Sequence, residues 1–75
     1  PSADLAALRQ ATLALVQEPR PAGVIKLEDD IYRLRVGNYR MIYLVDDAAR
    51  TVTVGRITRR REDTYRDFRR LFQAW

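Results

Sequence analysis

Apolar positions recur at spacings of three and four from Leu5 through Leu8, Thr12 and Leu15, with Val16 beside them. That period predicts an amphipathic helix, with Ser2 as its N-cap and its end near Glu18. Pro19-Arg-Pro21-Ala-Gly23 stops it, because proline lacks a donor and clashes with a continuing turn. Val24 to Leu27 then leads to an acidic turn, Glu28-Asp29-Asp30. From Ile31 the period falls to two. Ile31–Val36 and Tyr39–Val45 read as strands joined at Gly37-Asn38, a dipeptide suited to the positive φ of tight hairpins.

A two-residue loop sets Val36 opposite Tyr39, Leu34 opposite Met41 and Tyr32 opposite Tyr43, so these six share one face. Arg33, Arg35 and Arg40 then gather on the other. Ile42 and Leu44 lie on that arginine side too, which marks Tyr39–Val45 as a central strand covered on both faces. A second turn, Asp46-Asp47-Ala-Ala-Arg50, leads to a third strand, Thr51–Ile57, with Val52 opposite Val45 and Val54 opposite Tyr43. Thr53, Gly55 and Ile57 fall on the arginine side, and parity carries Arg59 there as well. Gly55 has two readings: a low spot opposite Ile42, or a bulge. Arg56 falls on the apolar side in this register, which warns that the strand ends or bulges before it.

From about Arg61 the pattern is helical again, with Glu62 and Asp63 suiting the positive end of the dipole. Tyr65, Phe68, Leu71, Phe72 and Trp75 trace a stripe expected to pack on the sheet. The expected fold class is α+β: a small antiparallel sheet of about three strands, with an N-terminal and a C-terminal helix on one face. Seventy-five residues make one domain, 1–75, with no room for a second core.

Charge sharpens the picture. Residues 1–30 hold three basic and five acidic side chains, net −2; residues 31–75 hold eleven and five, net +6. All eleven of those bases are arginine, which binds phosphate bidentately and stacks on bases. The anion this patch suits best is a nucleic-acid phosphate. The plainer alternative is arginine that merely solvates the surface. With no histidine and no cysteine, histidine bases, Ser-His and Cys-His machinery and structural zinc sites drop out. No phosphate-binding glycine loop is present, because the three glycines are isolated. No metal, cofactor or membrane association is expected. Lack of cysteine fits a reducing, cytoplasmic setting.

Pro19-Arg-Pro-Ala-Gly23, Lys26-Leu27, Ile31–Tyr43, Val52-Thr-Val54 and Arg59-Arg-Arg-Glu-Asp-Thr-Tyr65, in that order, resemble the RelE/ParE superfamily of toxins from toxin–antitoxin pairs. The resemblance covers roughly residues 15–66, and the RelE-like branch is the closer expectation. It implies a single RelE-like toxin domain that enters the ribosome, cuts mRNA in the A site and is silenced by a cognate antitoxin, with a homo-oligomer or a toxin–antitoxin hetero-oligomer as the assembly. Carried over by position, Arg33 and Arg35 match the two basic residues of the family's second strand, and Arg40 the arginine of its Tyr-Arg motif. Arg59 matches a basic position ending the last strand, one residue from Arg60 and Arg61, and Tyr65 matches a substrate-orienting tyrosine. The resemblance makes Arg33, Arg35, Arg40, Arg59 and Tyr65 the catalytic set, and Arg33, Arg35, Arg60, Arg61 and Arg66 the RNA contacts.

The chain departs from the family in two ways. The family's opening strand and first helix have no counterpart before the helix at residues 2–18, so truncation or divergence there, and an exposed sheet edge, are expected. Secondly, cleavage needs an acceptor for the ribose 2′-OH proton, which arginine cannot be. Tyr65, Lys26 and Glu28 are the candidates. Two alternatives to a nuclease follow from the resemblance: a ParE-like toxin that inhibits DNA gyrase, and an inactive remnant that binds antitoxin.

Overall fold

A computed structural model of the protein describes residues 2–59 and 69–73. Helix α1 spans Ser2–Gln17, and four strands follow: β1 Ile25–Glu28, β2 Ile31–Val36, β3 Tyr39–Asp46 and β4 Thr51–Arg59. A 3-10 turn covers Arg69–Phe72. The strands form one antiparallel meander in the order β1-β2-β3-β4. The α+β class holds, with one strand more than expected: the stretch leading into the acidic turn pairs with β2 as an edge strand.

The Gly37-Asn38 hairpin has the expected register, with Tyr32 opposite Tyr43, Leu34 opposite Met41 and Val36 opposite Tyr39. Gly37 has φ +59°, while Asn38 keeps a negative φ. Positive φ at the first central residue alone is the type II′ pattern, whose twist matches that of the flanking strands. At the β3–β4 connection, the Asp46 carboxylate accepts a hydrogen bond from the Ala49 N–H at 3.0 Å, and Arg50 takes φ +58° to bring the chain back.

One face of the sheet meets α1. Leu15, Tyr32, Met41, Tyr43 and Val45 form the buried cluster, with Leu8, Ala11, Leu34, Val52 and Val54 around it. The Thr12 hydroxyl donates to the Leu8 carbonyl at 2.8 Å and lies 3.9 Å from the Met41 sulfur. The helix turns Leu8, Ala11 and Leu15 inward, and leaves Leu5 and Val16, expected in its buried stripe, 59% and 71% exposed. A short sheet can cover only part of a four-turn helix.

The opposite face has its own buried residues, Ile31 and Ile42, which stand outside the α1 cluster. The described part of the C-terminal segment lies there: an added Cβ on Gly55 would come within 2.6 Å of the Phe72 ring. The segment is thus not on the helix face as expected, because α1 already fills that side. Trp75, Phe68 and Tyr65 of the expected stripe lie outside the described residues.

Candidate nucleic-acid interface

Register decides which arginines meet. In the β2–β3 pair, Arg35 lies directly opposite Arg40, and Arg33 lies opposite Ile42. All three share the face away from α1, as strand parity requires. Like charges directly opposite one another repel. The sheet sets Arg35 against Arg40, with Arg33 one pleat away.

The β3–β4 pair holds a register shift between Ile42 and Tyr43. Val54 pairs with Tyr43 and Arg56 with Ile42, so Gly55 is the extra residue of a bulge. Beyond it every position changes face. Arg56 crosses to the arginine side, Ile57 moves opposite Met41, and Arg59 pairs with Tyr39 on the α1 side. The expected placement of Arg59 and Ile57 beside the arginine cluster is therefore corrected. The half-buried Arg56 stands in the row Arg33–Ile42–Arg56, next to the row Arg35–Arg40–Thr58. Its sequence signal was its own misplacement: an arginine that an unbroken strand would aim into the apolar layer. Arg60, Arg61, Tyr65 and Arg66 lie outside the described residues.

The two candidate proton acceptors among the described residues lie on opposite faces of the sheet: Glu28 pairs with Ile31, on the arginine side. Lys26 pairs with Tyr32 and so falls on the α1 side of the sheet. Tyr32, Tyr39 and Tyr43 share that side. Glu28 is held by Arg69, whose Nε donates to its Oε2 at 3.2 Å while an Nη donates to Asp30 Oδ1 at 2.6 Å. Those two carboxylates hold the Arg69 pKa above its ordinary value, Asp30 contributing more.

A second polar network ties the helix exit to the far end of the sheet. Arg20 makes a forked pair with Asp47, at 3.1 and 2.8 Å, and its Nε donates to the Tyr32 hydroxyl at 2.8 Å. The Arg20 guanidinium holds the Asp47 carboxyl below the usual carboxylate range. Tyr32 stacks on Tyr43, with ring centroids 5.8 Å apart. The Tyr43 hydroxyl donates to the Pro19 carbonyl at 2.6 Å, and burial pushes its pKa up to about 12. Sequence reasoning missed Arg20 and Arg69, whose partners are brought near only by folding. Beside this network a groove of about 520 Å³ runs between the end of α1 and the β3–β4 turn, floored by Val16, Val45 and Val52.

Among the described residues no group of histidine, cysteine or acidic side chains is arranged to hold a metal ion, and no helix is long and apolar enough to cross a membrane. Fold and face together define a class: a small, basic α+β domain whose sheet gathers arginines on the face away from its helix. Residues 2–64 match the family model described as ParE toxin of type II toxin-antitoxin system, parDE, and the chain belongs to that family. It is thus a type II toxin of the RelE/ParE superfamily, and the family implies a cognate antitoxin as partner. No curated protein and no solved structure matches it significantly.

Proposed function

We propose that this toxin acts by holding a phosphate-bearing target against its arginine face without cutting it, as in ParE-type inhibition of DNA gyrase. The observation that carries this reading is the placement of the two described candidate bases, Lys26 and Glu28. Arg33, Arg35 and Arg40 stand together, while Lys26 faces the other side and Glu28 is engaged by Arg69. Arginine stays protonated throughout the physiological range, so it can grip and neutralise a phosphate but cannot take a proton from a ribose hydroxyl. Expression in a growing culture tests it. Growth arrest with gyrase-dependent DNA damage and intact mRNA, lost in Arg40→Ala, is the expected result. Cleavage of mRNA at ribosomes would refute it.

That second outcome belongs to the other reading, a ribosome-dependent endonuclease. Its support is the match of Tyr65 to the superfamily's substrate-orienting tyrosine, within a run that resembles the superfamily's closing motif, added to the same arginine trio. In that reading Arg33 and Arg35 hold the backbone, Arg40 stabilises charge on the scissile phosphate, and Tyr65 orients the ribose.

A further inference from the structure

The α1 side of the sheet is only partly roofed. Leu5, Thr12 and Val16 share one flank of the helix, spaced seven and four residues apart. Thr12 and Val16 wall the groove that Val45 and Val52 floor. The Thr12 hydroxyl also lies 3.9 Å from the Met41 sulfur, and the β4 neighbour of Met41 is Ile57, 43% exposed. The apolar strip therefore continues along β4 from Val52 to Ile57, beside a helix flank on which Leu5 and Val16 are exposed. Its two sides agree in length. Val52 to Ile57 covers roughly 16 Å of strand, and Leu5 to Val16 roughly 16 Å of helix.

The rim of this trough is basic. Arg50 lines it at the β3–β4 turn, Arg59 follows Ile57 on the same face of β4, and Arg9 lies next to the exposed helix flank. Among the described residues none of the three has an ion-pair partner. The acids of the neighbouring turn are engaged elsewhere: Asp47 by the Arg20 fork, Asp46 by the Ala49 N–H. Arg50 also stands at φ +58°, where a turn more easily takes glycine or asparagine.

We propose that this trough seats an amphipathic helix of about three turns from a partner protein, apolar toward Val16, Val52 and Ile57 and acidic along its edges. A helix is the shape that fits a sheet floor with one helical wall, because neighbouring helices pack about 8–10 Å apart. Acidic edges are the chemistry that fits, because carboxylates there meet Arg9, Arg50 and Arg59. The trough lies across the sheet from Arg33, Arg35 and Arg40, so the proposal is separate from the function proposed above and is tested separately.

The probe is a fluorescein-labelled helical peptide of about 14 residues, leucine on one face and glutamate on both flanks, with a twin carrying lysine for glutamate. Fluorescence anisotropy is expected to show the acidic peptide binding at least about tenfold tighter than its twin. Val16→Ser is expected to weaken it about tenfold, through lost apolar burial, and Arg50→Gln about threefold. Arg35→Gln makes the same charge change on the opposite face and is expected to leave the affinity where it was. Equal affinity for the two peptides, binding of neither, or equal losses in Arg35→Gln and Arg50→Gln would overturn the proposal. So would a dimer in sedimentation that Val16→Ser dissociates, because a second copy then fills the trough. Circular dichroism checks that each variant is folded, and Leu5→Ser on the same flank decides the matter if Val16→Ser is not.

Discussion

Gly55 has two duties that no other residue type could combine. It is the extra residue of the β4 bulge, and its bare Cα makes room for the Phe72 ring. A methyl group there would sit 2.6 Å from the Phe72 Cε1 and 3.2 Å from the Leu71 Cβ, inside contact distance for both. Gly55→Ala should therefore lift the C-terminal turn and cost about 1–3 kcal/mol, the usual toll of overpacking. Thermal unfolding reads the cost, and faster amide exchange at Ile31 and Ile42 would show that their cover has moved. Tyr43 gives a second prediction at this scale. Its hydroxyl is buried and ionises near pH 12, above the ordinary tyrosine value of 10.0. The folded state therefore holds its proton where the unfolded chain loses it, and stability present below pH 10 should decline as pH rises toward 12. Tyr43→Phe should flatten that alkaline decline in denaturant titrations. It should also lower stability at neutral pH by about 1 kcal/mol through the lost bond to the Pro19 carbonyl.

At the scale of elements, the β2–β3 hairpin sets the site and its turn sets the hairpin. Gly37 at φ +59° lets a two-residue loop close with Arg35 opposite Arg40. A β-branched residue resists that conformation, so Gly37→Val should cost at least about 1–2 kcal/mol in unfolding experiments. Any shift of one residue in register would move Arg33 and Arg35 to the α1 face. Loss of oligonucleotide affinity in a variant that is still folded would report such a slip. The other joint is Arg20, which links the α1–β1 connection to Asp47 of the β3–β4 turn. Because Asp47 titrates below its ordinary range, the fork contributes at neutral pH and fades as acid protonates the carboxylate. Asp47→Asn should remove that part of the acid sensitivity. Its effect at neutral pH should be small, because both partners are solvent-exposed.

At the scale of the whole molecule, the sheet has two faces with different tasks. One packs on α1 and supplies the buried cluster; the other gathers arginine at one end and buries Ile31 and Ile42 near the C-terminal turn. Arg69 fixes that turn to the β1–β2 corner through Glu28 and Asp30. Arg69→Gln should loosen it, with amide exchange quickening at Ile31 and Ile42 while Met41 and Tyr43, beneath α1, stay protected. Equal change on both faces would mean that the two layers are not independently held.

Much of this was legible in the chain itself. Alternation from Ile31 to Val45 around Gly37-Asn38 was enough to put Arg33, Arg35 and Arg40 together, because side-chain direction along a strand is a local property. The helix and its proline stop were legible for the same reason. Folding decided what depends on distant partners. Whether Gly55 was a low spot or a bulge turned on Phe72 and on the pairing with Ile42, and that choice sent Arg56 to the arginine face and Arg59 away from it. Which side the C-terminal turn would take turned on α1 already occupying the other. Periodicity fixes how a segment presents its side chains, but an extra residue in a strand and the order in which layers fill are settled only by what packs against them.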